Sequence, residues 1–222
     1  MCIIFKSILF NAYLHSYHLH EQLNAAKTIK PSFLNYNLHP VIIPTERLLL
    51  KGISPHLIHT IFTTDQEADI KAFFGIDDKG YATYKDMHEK GMETYRHSLF
   101  YFLVVDKETN SPIGECGFHT WNLTHRRAEL FYLLRNDTHK RKGYMTEVVP
   151  HVIRYGFEHM ELVRIEALLA KWNTPSVRLL QQNRFTFEGT MRQHYSVNGI
   201  NEDSDCYSLL KAEWETHVLS SS

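Results

Sequence analysis

The stretch His139-Lys140-Arg141-Lys142-Gly143-Tyr144-Met145-Thr146-Glu147 sets four basic or potentially basic side chains directly before a glycine. A strongly periodic helical segment follows it. The first turn of a helix carries unpaired N–H groups and the positive end of the helix dipole, and the two together bind anions. Gly143 lets a phosphate come close to the backbone. Lys140, Arg141, Lys142, Gly143, Tyr144, Met145 and Thr146 therefore form a candidate phosphate cradle. The same residues also suit a solvated basic loop in which the glycine serves only the turn. A P-loop ending in Gly-Lys-Ser/Thr is absent, and so is the three-glycine dinucleotide fingerprint after a parallel strand. Neither an ATP loop nor a nicotinamide-dinucleotide fold is indicated.

Other reactive residue types are scattered. Cys2, Cys116 and Cys206 are odd in number and form no C-x-x-C pair, which argues against a disulfide framework or a zinc ribbon and for a reducing, cytoplasmic setting. His15, His18 and His20 cluster near the start, but without a supporting ligand set they are read as solvated histidines, and no metal is expected. The chain has 222 residues, 24 basic and 25 acidic, for a net charge of −1. That balance gives no basic surface for nucleic acid, and no apolar run approaches the ~20 residues that span a bilayer. Hydrophobic residues make up 43%, enough for a sizeable core and too many for a disordered chain.

The elements that must position the loop can be read from periodicity. Residues 1–40 read as an extension, 41–216 as one domain and 217–222 as a tail. A strand is expected over Glu46–Lys51, then a helix capped by Ser54 with Pro55 in its first turn. Helices follow over Asp65–Phe74 and Tyr81–Glu93. Leu99–Asp106, Ile113–Trp121 and Arg127–Arg135 read as an antiparallel meander joined by short turns. Met145, Val148, Val149, Val152, Ile153, Gly156, Phe157 and Met160 mark one face of a long helix, with Pro150 inside it. A strand over Arg164–Ala170, a short helix to Gln182, and a closing hairpin around Asn198-Gly199 complete an α+β pattern: a mixed, mostly antiparallel sheet. Trp121 and Trp172 are assigned to the core.

At this level the sequence resembles the GNAT N-acetyltransferases. Lys140 to Met145 is similar to that family's acetyl-coenzyme A loop, Gln/Arg-x-x-Gly-x-Gly/Ala, with Lys140 and Met145 departing from the pattern. Thr45-Glu46-Arg47-Leu48, Gly143-Tyr144-Met145-Thr146-Glu147, Asn173-x-x-Ser176, Asn183-x-Phe185-x-x-Glu188-Gly189 and Asp205 to Trp214 resemble, in order, segments of the RimJ/RimL branch, which acetylates ribosomal-protein N-termini. The resemblance implies the GNAT fold, with helices on both faces of the sheet and two strands splayed to admit the acetyl donor. It implies acetyl-CoA as donor, and a primary amine, most of all a protein N-terminus, as acceptor. It places Phe131 to Arg135 along the pantetheine arm, with the backbone N–H near Leu133 or Leu134 polarising the thioester carbonyl. It places Asn173 on the pantetheine or as a plain helix cap.

The proton-handling residues are left open. Glu129 ranks first as base, with an ion pair to Arg127 or Arg164 as its alternative; His194 ranks next, and Glu115 and Tyr195 are the other candidates. Tyr195 stands where the branch has a glutamate, and Leu180 stands where many members have an acid tyrosine. Ser176 could replace that tyrosine. Between Asp65 and Glu93 eight acidic side chains face four lysines, a net −4. This is either a solvated surface or a lip that favours a cationic acceptor. A small-molecule amine acetyltransferase and a catalytically weak coenzyme A-binding protein remain alternatives, and a monomer or homodimer is expected.

Overall fold

The computed structural model describes residues 41–220. The expected extension, with its histidine cluster, lies outside the described residues. Within them the order is β1 (Ile42–Pro44), β2 (Leu48–Ile53), α1 (Pro55–Thr64), α2 (Glu67–Phe74), α3 (Asp78–Lys90), β3 (His97–Asp106), β4 (Pro112–Asn122) and β5 (Arg127–Leu134). There follow a short 3-10 turn at Asp137–His139, α4 (Tyr144–Glu158), β6 (Arg164–Leu169), α5 (Thr174–Gln182), β7 (Thr186–Val197), β8 (Ile200–Leu210) and α6 (Lys211–Ser220).

The eight strands form one open sheet in the order β1-β2-β3-β4-β5-β6-β8-β7. Every pair is antiparallel except β5–β6. That parallel pair requires a crossover, and α4 supplies it. Strand alternation sends side chains to two cores. Leu48, Leu50, Phe102, Phe118, Ala128 and Leu130 meet α4 and α5 on one face. Ile53, Tyr101, Leu103 and Val105 meet α1, α2 and α3 on the other. Helices therefore cover both faces, as the family resemblance implies.

Local chemistry accounts for the helix positions. Ser54 Oγ accepts from the Leu57 amide at 3.2 Å and Pro55 opens α1. In α4, Pro150 has no N–H to give to the Thr146 carbonyl, a defect worth about 3 kcal/mol. Val148, Val149, Val152, Ile153 and Phe157 are all at most 2% exposed. At roughly 1.5–3 kcal/mol each, their burial outweighs the defect. Gly156 matters here too. A Cβ at that position would stand 2.7 Å from the Phe118 ring, so only glycine lets α4 lie this close to β4.

Two sequence expectations need correction. The last strand stops at Leu210, and Glu213 and Trp214 belong to α6. Trp214 still reaches the core, 5.3 Å from the Phe157 ring. Trp172 is not core: it is 74% exposed on the β6–α5 loop, its indole N–H directed at Glu202. No periodicity covers a loop, so composition alone gave the wrong placement.

Candidate active site

The site begins where β5 and β6 part. They pair through Arg127↔Arg164, Ala128↔Ile165 and Glu129↔Glu166 and no further. Beyond that point β5 stays on β4, through Leu134↔Gly114, while β6 stays on β8, through Leu169↔Asp205. From Leu130 onward the β6-facing edge of β5 has no strand partner among the described residues. Its hydrogen-bonding phase is set by the Arg135 amide, which donates to the Ile113 carbonyl at 2.9 Å. Alternation along an antiparallel pair then commits the Leu133 and Phe131 backbones to β4. The N–H and C=O groups of Tyr132 and Leu134 are left facing the gap.

The gap leads to the start of α4. Gly143 takes φ 78°, ψ 7°, a left-handed conformation that strains any other residue, and no side chain caps the helix there. Arg141 is also left-handed, at φ 61°. The strip Lys140–Gly143 is exposed, whereas Tyr144 and Met145 pack against the core. Glu147, one turn in, accepts from Thr45 Oγ1 at 2.5 Å, from the Arg47 amide at 2.8 Å and from Arg47 Nε at 2.7 Å.

The carboxylate at the fork is Glu129. It is 8% exposed and lies on the α1–α3 face of β5. Burial first, then the Glu166 charge opposite, push its pKa up to about 7, with Arg127 opposing. Arg127 and Arg164 are both engaged elsewhere: Arg127 pairs with Glu166, and Arg164 bridges Glu166 and Glu188. His119 Nδ1 stands 3.7 Å from Glu129, too far for a hydrogen bond. Burial pushes the His119 pKa down, so a neutral imidazole adjoins Glu129 rather than a cation. Phe131 stacks on His119 with ring centroids 5.5 Å apart. Tyr195 also feels Glu129: burial first, then that carboxylate, raise its phenol pKa.

Residues 47–186 match the acetyltransferase (GNAT) domain family. The uncharacterized N-acetyltransferase YoaA of Bacillus subtilis (strain 168) is 30% identical over 172 residues, which is 77% of this chain and 97% of that protein. The chain is a member of the GNAT acetyltransferase family. Its fold is that of the spermidine N-acetyltransferase of Vibrio cholerae in complex with CoA and spermine (TM-score 0.57, 19% identity, 76% of this chain and 98% of that one). It is equally that of the ribosomal-protein-S5-alanine acetyltransferase of Vibrio fischeri (TM-score 0.55, 21% identity, 78% and 98%). It is thus an acetyl-CoA-dependent N-acetyltransferase.

Within this GNAT domain the structure sorts the residues singled out from sequence. It does not bring Leu133 to the gap by its amide, because the strand phase spends that group on β4; of the pair, Leu134 is the one whose amide faces the gap. Arg135 likewise does not face the gap. Its amide bonds to β4, and its guanidinium is tied to Glu115. Glu115 itself is held by Arg135 and by the Tyr84 hydroxyl at 2.7 Å, which in turn meets the Tyr101 hydroxyl at 2.6 Å. Both contacts fall on Glu115 Oε1. Lys140 leans back onto Asp137 at 2.6 Å. His194 Nδ1 is 3.2 Å from Ser204 Oγ. Asn173 is a helix cap: its Oδ1 accepts from the Ser176 amide at 3.3 Å.

Tyr132 packs against the core on the α4–α5 face of β5, and burial raises its phenol pKa, with Ser176 of α5 opposing. Sequence reasoning missed it. Nothing marks it in sequence, because one aromatic residue in a strand of Phe and Leu reads as core. His119 was missed for a related reason, since the β4 stretch reads simply as a buried strand. Cys116 is fully buried and its thiol is pushed well up, so it is no nucleophile.

Proposed function

We propose that this chain acetylates a primary amine at the fork between β5 and β6, with a protein N-terminus as the preferred acceptor. The observation that carries the reading is the Glu129 carboxylate at the last β5–β6 pair, with a pKa near 7. A general base works best when its pKa lies near the working pH. A carboxylate raised this far exchanges its proton near neutral pH, which suits it to take the proton of an incoming ammonium. Tyr195 and His119 line its approach, and Phe131 gives that approach an aromatic wall.

The donor fits the residues present. The unpaired β5 edge, with Tyr132 and Leu134 offering backbone N–H and C=O groups, suits the amides of a pantetheine arm. The uncapped start of α4 with Gly143, Arg141 and Lys142 suits its pyrophosphate. Acetyl-CoA supplies an activated acyl thioester there. The Leu134 amide is the donor placed to stabilise charge that develops on a carbonyl oxygen. Ser176, in the first turn of α5, is the hydroxyl assigned to return a proton to a departing thiolate.

The resemblance of Thr45 to Leu48 and of Gly143 to Glu147 to the RimJ/RimL branch favours a protein N-terminus. So does the exposed Tyr195 rim, 46% accessible, which suits the terminal residue of a long chain. A second reading, a cationic small amine such as a polyamine, draws on the net −4 of Asp65–Glu93. The free thiols of Cys116 and Cys206 fit a reducing cytoplasm. Acetyl transfer to a panel of N-terminal peptides, polyamines, amino sugars and amino acids tests this. Preferential turnover of peptides supports the first reading, exclusive turnover of polyamines overturns it, and coenzyme A binding with no transfer to any amine overturns both.

A further inference from the structure

We infer that Arg47 and Glu147 are positioning residues for the phosphate end of the donor, acting as a clamp that sets the start of α4. The inference rests on the reading that coenzyme A binds at that helix start. The difficulty it resolves is electrostatic. Glu147 sits in the first turn of α4, where the helix dipole favours an anion and where a phosphate has to settle. An unneutralised carboxylate in that turn would compete with the ligand for the same field.

The structure shows how that charge is held. Glu147 Oε1 accepts from Thr45 Oγ1 and from the Arg47 amide, and Oε2 accepts from Arg47 Nε. These bonds lower the Glu147 pKa against the effect of its burial, so the group stays ionised and stays paired. Arg47 does more than neutralise. Its Nη1 donates to the Lys142 carbonyl at 3.0 Å, and its guanidinium lies 4.7 Å from the centre of the Tyr144 ring. A Cβ built on Gly143 would stand 3.6 Å from Nη2. One side chain thus fixes the residues on both sides of Gly143. The anchor is rigid, because the Arg47 carbonyl accepts from the Lys107 amide at 3.1 Å. The segment Thr45–Leu48, which reads in sequence only as an opening strand, is in space the seat of the cofactor loop, about 100 residues away.

The clamp makes a prediction that a purely structural role does not. Arg47→Met frees the loop and also leaves Glu147 unneutralised beside the phosphates. Titration of the variant with coenzyme A is expected to show at least a tenfold loss of affinity. In turnover, KM for acetyl-CoA rises while kcat at saturation stays within about twofold. Adding Glu147→Gln to Arg47→Met removes the repelling charge, so the double variant should bind coenzyme A more tightly than Arg47→Met alone. Arg47→Lys keeps the charge without the two-point reach and should fall between. Turnover of S-acetylpantetheine, which has no pyrophosphate, should be unchanged by all three. Arg47 is 44% exposed along its side chain, so the fold should survive, and melting curves check this. Unchanged coenzyme A affinity in Arg47→Met, no gain in the double variant, or an equal loss with S-acetylpantetheine overturns the clamp. If Arg47→Met fails to fold, Arg47→Lys carries the same comparison. Absence of coenzyme A binding by the unsubstituted chain instead overturns the cofactor site itself.

Discussion

Replacing Glu129 by glutamine should make the protein slower and, above neutral pH, more stable. The two effects share one cause. In the unfolded chain this carboxyl titrates near 4.5, and in the folded chain near 7. The folded state therefore holds the proton more tightly. The sign follows directly: below about pH 4.5 both states are protonated and nothing is lost, and as pH rises from 4.5 to 7 the unfolded state ionises first and folding weakens. At about 1.4 kcal/mol per pH unit the full displacement is worth ~3 kcal/mol. Solvent reaching the open fork screens part of that, leaving about 1–2 kcal/mol. Glutamine carries no such penalty.

The kinetic half is read from the same pKa. The ionised fraction of a group titrating at 7 rises from about 0.1 at pH 6 to about 0.9 at pH 8, so acceptor kcat/KM should climb close to tenfold over that window. A positioned base contributes on the order of 10²–10⁴-fold, so Glu129→Gln should cost about 10²-fold at pH 7 and lose this pH limb. Activity should partly return at high pH, where the amine is already neutral. Coenzyme A affinity should stay put. The assay is a pH series of acceptor kcat/KM, paired with urea melts at pH 4 and pH 8. A variant with normal rate and an unchanged pH profile refutes Glu129 as the base and moves the role to His119 or water. Equal stability of the two proteins at pH 8 refutes the raised pKa.

Gly143→Val forces a β-branched residue into a left-handed conformation at the anion site and should lower coenzyme A affinity at least tenfold by calorimetric titration, with α4 still formed by circular dichroism. Ser176→Ala removes the hydroxyl assigned to return the proton and should lower kcat more than it raises KM for acetyl-CoA; an unchanged kcat makes Ser176 a helix-face group. Asn173→Ala should cost about 1 kcal/mol of stability in denaturant melts through the lost cap. If the acidic surface of α2 and α3 steers the acceptor, basic peptides should outpace acidic ones at low salt, and the advantage should shrink as salt screens it.

What could be read from sequence and what could not follows from the range of the interactions. α4 was legible because eight apolar residues at helical spacing report one buried face. The Asn198-Gly199 turn, with Asn198 at φ 51° and Gly199 at φ 80°, was legible because few residues tolerate that backbone. The candidate anion site was legible because a glycine after a basic run is local chemistry. Which amide faces the gap was not, because Leu133 and Leu134 differ only in which neighbour strand they face, and β4 decides that through one hydrogen bond from Arg135. Glu129 was half legible. It also reads as an ion pair with Arg127 or Arg164, and sequence could not show that Glu166 and Glu188 hold both arginines. Burial first, then the Glu166 charge, raise the Glu129 pKa, and Arg127 opposes them only in part while paired with Glu166. The arginine–glutamate ladder across β5, β6 and β7 therefore adds to burial in holding that pKa up.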